Sequence, residues 1–253
     1  MQHDEPIPPK RPPSGPKGQH PTTLLIIPTV EERENIDWVM EKYQDLDDAD
    51  LHILIADDDS IDKTWSRAGT WAADDERMHL LRRPGRFKGA GFAIRESYKW
   101  AKDSEHGYEY VLQASANRSD DFRCVPAMIA ALDAGADLVI GERSVEFGAD
   151  ASAPRRSQGL ARFTTGSPIG DVESGFRGWR LSSLATIARK FKSGDHRLKA
   201  ESVASAVKAG MKVVSVPVPA QPKTEDGKTL NKGGNCGAGD LIGLWLRRMT
   251  GRI

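Results

Sequence analysis

No stretch of this chain approaches the roughly 20 consecutive apolar residues that a bilayer-spanning helix needs, so no transmembrane segment is expected. Cysteine is scarce. Cys124 and Cys236 are the two in 253 residues, far apart and in no metal-ligand spacing. That argues against a disulfide framework and for a reduced, cytoplasmic protein. Net charge is absent, with 36 Lys+Arg against 36 Asp+Glu. No global field therefore draws the chain to nucleic acid or to a membrane. The N-terminus has prolines where a secretory leader would carry an apolar core.

What is there divides into three parts. Residues 1–21 hold seven prolines with Lys10, Arg11 and Lys17, and read as a disordered, basic, polyproline-like tail. Residues 22–222 alternate short apolar runs with amphipathic stretches. Runs at Thr22–Pro28, Leu51–Ala56, Met78–Arg83, Tyr108–Ala114 and Ala136–Gly141 predict strands. Helices are predicted between them over Asn35–Tyr43, Thr64–Ala73, Lys88–Ala101 and Val125–Leu132. That alternation predicts parallel pairing in a three-layer, Rossmann-like α/β domain. The second half is less regular, with a small-residue loop at Phe147–Pro154, a strand near Gly175–Arg180, helices over Ser182–Phe191 and Lys199–Ala209, and a last strand from Lys212. Residues 223–253 pair a mobile Gly- and Lys-rich stretch with a short helix over Asp240–Arg252. Its apolar residues Leu241, Leu244, Trp245 and Met249 can pack on the domain or lie on a membrane surface.

Asp57, Asp58 and Asp59 stand together where the Leu51–Ala56 run stops and Ser60-Ile-Asp-Lys-Thr64 leads into a helix. Ligands bind at the carboxyl ends of strands in open α/β sheets. One aspartate suffices to cap the next helix; three in a row point to a ligand.

These residues resemble a known family. Ile27-Pro-Thr-Val-Glu-Glu-Arg-Glu-Asn-Ile36, Asp57-Asp-Asp-Ser-Ile-Asp-Lys-Thr64, Arg83-Pro-Gly85 with Gly89-Ala-Gly91, Ala136-Asp-Leu-Val-Ile-Gly-Glu-Arg143 and Asp171-Val-Glu-Ser-Gly-Phe-Arg177 are similar, in order and spacing, to the family-2 inverting glycosyltransferases of GT-A fold, and among them to polyprenol-phosphate (dolichyl-phosphate) mannose synthases. The resemblance implies a mostly parallel GT-A sheet in a single domain and a nucleotide-sugar site. Pro28, Val30, Glu32, Asp57, Asp58, Lys88 and Gly89 would line that site with Ser115 and Asn117, the Asp57 carboxylate accepting from base N–H groups. Arg143, Arg155, Arg156 and Arg177 would face phosphates of donor or acceptor, where guanidinium forks match phosphate oxygens.

The departure from the family lies at the metal. Where the family has Asp-Ala-Asp, this chain reads Ser115-Ala-Asn117, with Ser119 at a third position. Hard divalent cations are held through charged oxygen ligands, so Mg²⁺ or Mn²⁺ binding is expected to be weak or absent. Either cationic side chains (Arg118, Arg143, Arg86 or Lys88) offset the charge of the leaving diphosphate, or the chain binds a nucleotide sugar without turnover. Asp171 and Glu173 are the acids on the acceptor side. Glu173 replaces a small hydroxyl residue of the synthases. A phosphate acceptor needs no general base; a hydroxyl acceptor does. The acceptor is thus a polyprenol phosphate by resemblance, at the surface of a membrane, or a hydroxyl of a macromolecule, protein or nucleic-acid base. For nucleic acid the basic tails with Lys228, Lys232, Arg247, Arg248 and Arg252 would supply phosphate contacts.

Overall fold

The structure, a computed structural model, describes residues 17–19, 22–144, 155–219 and 237–250. Seven strands form one sheet: β1 (Thr23–Thr29), β2 (Leu51–Asp57), β3 (Met78–Arg82), β4 (Tyr110–Gln113), β5 (Leu138–Ser144), β6 (Arg177–Arg180) and β7 (Val213–Pro219). Their order across the sheet is β3-β2-β1-β4-β6-β5-β7. Six run parallel, as the alternating pattern predicts. β6 runs antiparallel to both β4 and β5, with Arg177 opposite Gln113 on one side and Ile140 on the other. A four-residue strand carries too few residues to announce its direction in sequence. Its direction matters, because the chain entering β6 arrives at the edge where β4 and β5 end.

Among the described residues eight α-helices accompany the sheet: α1 (Arg33–Asp45), α2 (Thr64–Ala72), α3 (Ala90–Asp103), α4 (Val125–Asp133), α5 (Arg155–Thr165), α6 (Leu181–Ile187), α7 (Leu198–Lys208) and α8 (Ala238–Met249). Strand side chains alternate between faces. Leu25, Ile27, Ile53 and Ile55 therefore pack in a core with Ile36, Val39 and Met40 of α1, Trp71 of α2 and Met128 of α4. Leu24, Ile26 and Leu54 pack on the other face with Ile94 and Tyr98 of α3, Leu184 of α6 and Val203 of α7. Strands buried on both faces explain why β1 and β2 read as unbroken apolar runs.

α5 falls where the sequence analysis places no helix, and it forms eleven residues of helix. α8 occupies the place of the helix expected over Asp240–Arg252. α8 docks on the domain through Leu241 and Leu244, both buried. Its other side leaves Ile242, Leu246 and Met249 exposed, at helical spacing, and Phe163 of α5 is exposed too. Phe163 stacks on Trp245 with ring centroids 6.3 Å apart. No helix among the described residues is long and apolar enough to cross a membrane. The N-terminal tail to residue 16, the Phe147–Pro154 loop and the Gly- and Lys-rich stretch, with Lys10, Arg11, Lys228 and Lys232, lie outside the described residues, as does Arg252.

The start of α3 depends on close backbone approach. Gly89 has φ 120°, a conformation L side chains rarely adopt. A Cβ on Gly91 would run into the backbone of Gly194 and Asp195, where Phe92 N–H donates to the Gly194 carbonyl at 3.2 Å. Backbone cannot give way as a side-chain tip can. Gly91→Ala is expected to cost about 1–3 kcal/mol, as overpacked cores do. For a chain this size each kcal/mol lowers Tm by about 2–4 °C, which a thermal melt reads directly.

Candidate functional site

The carboxyl ends of β1, β2 and β4 and the turn entering β6 share one edge of the sheet. Asp57, the last residue of β2, is fully buried. Its Oδ2 accepts from Thr29 Oγ1 at 2.9 Å and from Ser60 Oγ at 2.7 Å, and its Oδ1 accepts from Ser60 N–H at 2.9 Å. Ser60 Oγ accepts in turn from Glu31 N–H at 3.0 Å. Thr64 Oγ1 accepts from Glu32 N–H at 3.0 Å, and Asp62 accepts from Arg33 N–H at 3.0 Å. Burial raises the Asp62 carboxyl, but bonds from the Thr64 hydroxyl and from the Arg33 and Thr64 N–H groups hold it below its ordinary value. Asp57 and Asp62 thus knit the loop after β1 to the loop after β2. Those two loops carry half-buried Pro28 and Glu32, and exposed Val30.

Asp58 faces the other way. It is buried, pairs with Arg83, and accepts from Gly89 N–H at 2.6 Å. Arg83 also donates to Glu96 Oε2 at 2.8 Å and to the Phe87 carbonyl at 2.9 Å. The pair fixes the β3–α3 connection, so Arg86 and Lys88 project from a braced loop and are exposed. Asp59 pairs with Arg82 at 2.6 Å. The three aspartates thus have separate jobs, two of them in building the loops.

The altered motif follows β4. Ser115 and Asn117 are half-buried. Ser115 N–H donates to Asp120 Oδ2 at 2.8 Å, and Asn117 Oδ1 accepts from Ser119 N–H at 3.2 Å. Arg118, at φ 60°, turns outward. It donates to Asn35 Oδ1 at 3.0 Å and its guanidinium lies 5.6 Å from the Trp38 ring centre. Burial raises the Asp120 carboxyl, while its bonds to Ser115 and the charges of Lys199 and Arg143 lower it.

The residues do not fit a divalent ion. Ser115, Asn117 and Ser119 are neutral, and Asn117 Oδ1 is already turned to a backbone N–H. The carboxylate of Asp120 is tied to the Ser115 backbone and lies in the field of two cations. Among the described residues no set of three acidic, histidine or cysteine side chains converges here with metal-ligand spacing.

Across from this motif stands a cationic group. Arg143, at the end of β5, donates to Asp171 through Nε at 2.6 Å and Nη2 at 2.8 Å. That fork–fork pair raises the Arg143 pKa above its ordinary value and occupies both Asp171 oxygens. Glu173 is half-buried and acts electrostatically on Arg143 and Lys199. Arg177, assigned by resemblance to a phosphate, is 1 % exposed. Its guanidinium donates to the Lys199 carbonyl at 2.9 Å, Ser202 Oγ at 3.0 Å and the Val172 carbonyl at 3.1 Å, so it anchors the turn from beneath. Arg155 and Arg156 begin α5, and their side chains lie outside the described residues. Of the tail residues expected to meet nucleic acid, Arg247 is turned to Glu201 at 3.3 Å.

Lys199, in the first turn of α7, is the residue sequence reasoning missed. A Cβ placed on Gly175 would sit 3.5 Å from Ser115 Oγ and 3.7 Å from Lys199 Nζ. Gly175 thus lies between the altered motif and an ammonium group. Burial lowers the Lys199 pKa, Arg177 and Arg143 lower it further, and Asp120 and Glu173 raise it. A lone lysine in Leu198-Lys-Ala-Glu201 carries no motif, so only the fold could bring it to β4.

Comparison with known proteins identifies the family. The profile for glycosyl transferase family 2 matches residues 24–193. The polyprenol monophosphomannose synthase of Mycolicibacterium smegmatis is 32% identical over 205 residues, covering 78% of this chain and 76% of that protein. The undecaprenyl-phosphate mannosyltransferase of Micrococcus luteus is 28% identical, covering 77% and 82%. Among solved structures, a glucosyl-3-phosphoglycerate synthase from Mycobacterium tuberculosis, in complex with Mn²⁺, UDP and its product, superposes with a TM-score of 0.60 at 16% identity, covering 92% of this chain and 80% of that one. At that identity the likeness shows the shared GT-A fold.

Proposed function

Because this chain belongs to glycosyl transferase family 2, we propose that it moves a mannosyl group from a GDP-mannose-like donor to a polyprenol phosphate, with inversion and without a metal ion. The observation that carries this reading is the pairing of a carboxylate-free motif with a braced cationic group, Arg143 and Lys199, at the strand-end edge. Two aspartates and a divalent ion cancel in charge, so losing all three leaves the local charge unchanged. What must be replaced is the positive centre that stabilises the leaving diphosphate, and fixed cations in a partly buried site supply it.

The reaction is one displacement. An acceptor phosphate oxygen forms a bond to the sugar's anomeric carbon as the bond from that carbon to the diphosphate oxygen breaks. The electron pair leaves with the nucleoside diphosphate. The attacking phosphate is already an anion, so no proton has to move. That suits Asp171, whose oxygens are held by Arg143 rather than offered as a base. The names of the two mannosyltransferase relatives support the lipid acceptor. So does the exposed apolar row Ile242, Leu246 and Met249 beside Phe163, which suits contact with a lipid surface.

The test incubates chelator-treated protein with GDP-mannose and polyprenol phosphate in detergent. Mannosyl lipid is the expected product, formed at the same rate with added Mg²⁺ or EDTA. Activity that returns only with metal would overturn the metal-free part. Nucleotide release without lipid product would favour a second reading, in which Glu173, beside Arg143 and Lys199, takes the proton of a hydroxyl acceptor on a macromolecule. No nucleotide release from any GDP- or UDP-sugar would leave a binding protein.

A further inference from the structure

On the opposite edge of the sheet, three histidines converge. His52 begins β2 and His79 lies in β3. Leu54 is opposite His79 in the β2–β3 register, and His52 shares a face with Leu54, so the two imidazoles stand side by side on the α3 face. His106 comes from the loop between α3 and β4, and Tyr108 follows it. One ligand atom of each histidine lies within 4.8 Å of the other two.

The detailed geometry points to a metal ion. His52 Nδ1 and His79 Nε2 are 3.2 Å apart, and the Tyr108 hydroxyl oxygen lies 2.9 Å from the first and 3.0 Å from the second. Three lone-pair atoms form a triangle with sides near 3 Å. A zinc ion with bonds of about 2.0–2.1 Å holds its tetrahedral ligands about 3.3 Å apart, and such a triangle is one face of that tetrahedron. His52 and His79 are half-buried while His106 is exposed, which leaves a path for an ion to enter. Trp100 of α3 packs on His79 with centroids 5.0 Å apart, fixing that ring.

We propose that His52, His79 and His106 bind a borderline-soft divalent transition ion, with zinc as the fitting example and the Tyr108 oxygen or a water in the fourth position. The ion would clip the α3–β4 loop to β2 and β3 at the strand starts, remote from the transferase edge. The site uses nitrogen ligands and stands apart from the Ser115–Asn117 motif, so it does not depend on the proposed reaction.

The experiment strips the full chain with chelator, removes the chelator, and titrates with Zn²⁺ by calorimetry and with Co²⁺ by visible absorption. One equivalent should bind, Co²⁺ should give the intense absorption of a tetrahedral site, and Tm should rise with Zn²⁺. His106→Ala changes an exposed loop residue, so the fold survives it. It should weaken binding more than the roughly 10- to 100-fold that even an outer partner of a ligand is worth, and leave mannosyl transfer or nucleotide release by the stripped protein as it was. His79→Gln should abolish the Co²⁺ band. No binding by the stripped wild-type chain overturns the proposal, as does affinity unchanged in His106→Ala.

Discussion

Lys199→Met is expected to lower kcat by about 10²–10³-fold, the loss that follows removal of one group stabilising transition-state charge, while KM for the nucleotide sugar changes little. Methionine keeps much of the length of the side chain and discards its charge. The lysine lies beside Gly175 and Ser115, where the chain has given up its acidic motif. Lys199→Arg should retain much of the rate and alter its pH dependence. Burial is the largest influence on Lys199 and lowers its pKa, with Arg177 next. The charged form is the one required, so wild-type kcat should decline as pH rises through that lowered value, below the range where an exposed lysine titrates. Arginine stays protonated throughout, so its variant should carry activity further into alkali. A purely structural lysine would give Met and Arg variants with the same pH profile as wild type, and that result would remove Lys199 from the chemistry.

The largest loss of stability is expected at Arg83→Met. The guanidinium neutralises buried Asp58 and also holds Glu96 and the Phe87 carbonyl. Its removal leaves a buried carboxylate with the Gly89 N–H still donating to it. Breaking such a pair from one side costs about 3–5 kcal/mol, which at about 2–4 °C for each kcal/mol is a Tm drop of about 6–20 °C. Adding Asp58→Asn to that variant removes the stranded charge. The double variant should therefore recover part of the loss, so the cycle measures a coupling between two touching residues. Equal, additive losses would show that Asp58 and Arg83 act independently. The Glu96 carboxyl, held below the usual range first by its bond to Arg83, should titrate higher in the variant, which NMR can follow.

Much of the fold was legible because β1, β2 and β4 are buried on both faces and stand out as apolar runs. Thr23–Thr29 and Leu51–Asp57 differ from the expected spans by a residue or so. β6 was legible as a strand but not in its direction, since Arg177–Arg180 is short and its neighbours are distant in sequence. The site divides in the same way. Asp57 and Asp58 stood out as a cluster, yet their partners Thr29 and Arg83 come from two other segments. Sequence therefore could not show that both carboxylates build loops. Arg143 and Asp171 were singled out separately, and the fold joins them. Lys199, His52 and His79 carry no local pattern at all. Each becomes informative only through what the register and the helix packing set beside it.

The reversed strand β6 has a consequence for how this molecule can change. On one side the loops leave their strands at Thr29, Asp57 and Gln113, and the first two are tied together by Glu31 N–H donating to Ser60 Oγ. On the other side the chain comes in from outside and meets the edge last, at Asp171–Gly175, just before Arg177 locks into register. The sheet does not dictate the length of chain between Ser144 and that turn. On the proposed reaction, lineages could rewrite what receives the sugar while leaving untouched what supplies it, with Arg177 as the fixed seam between the two.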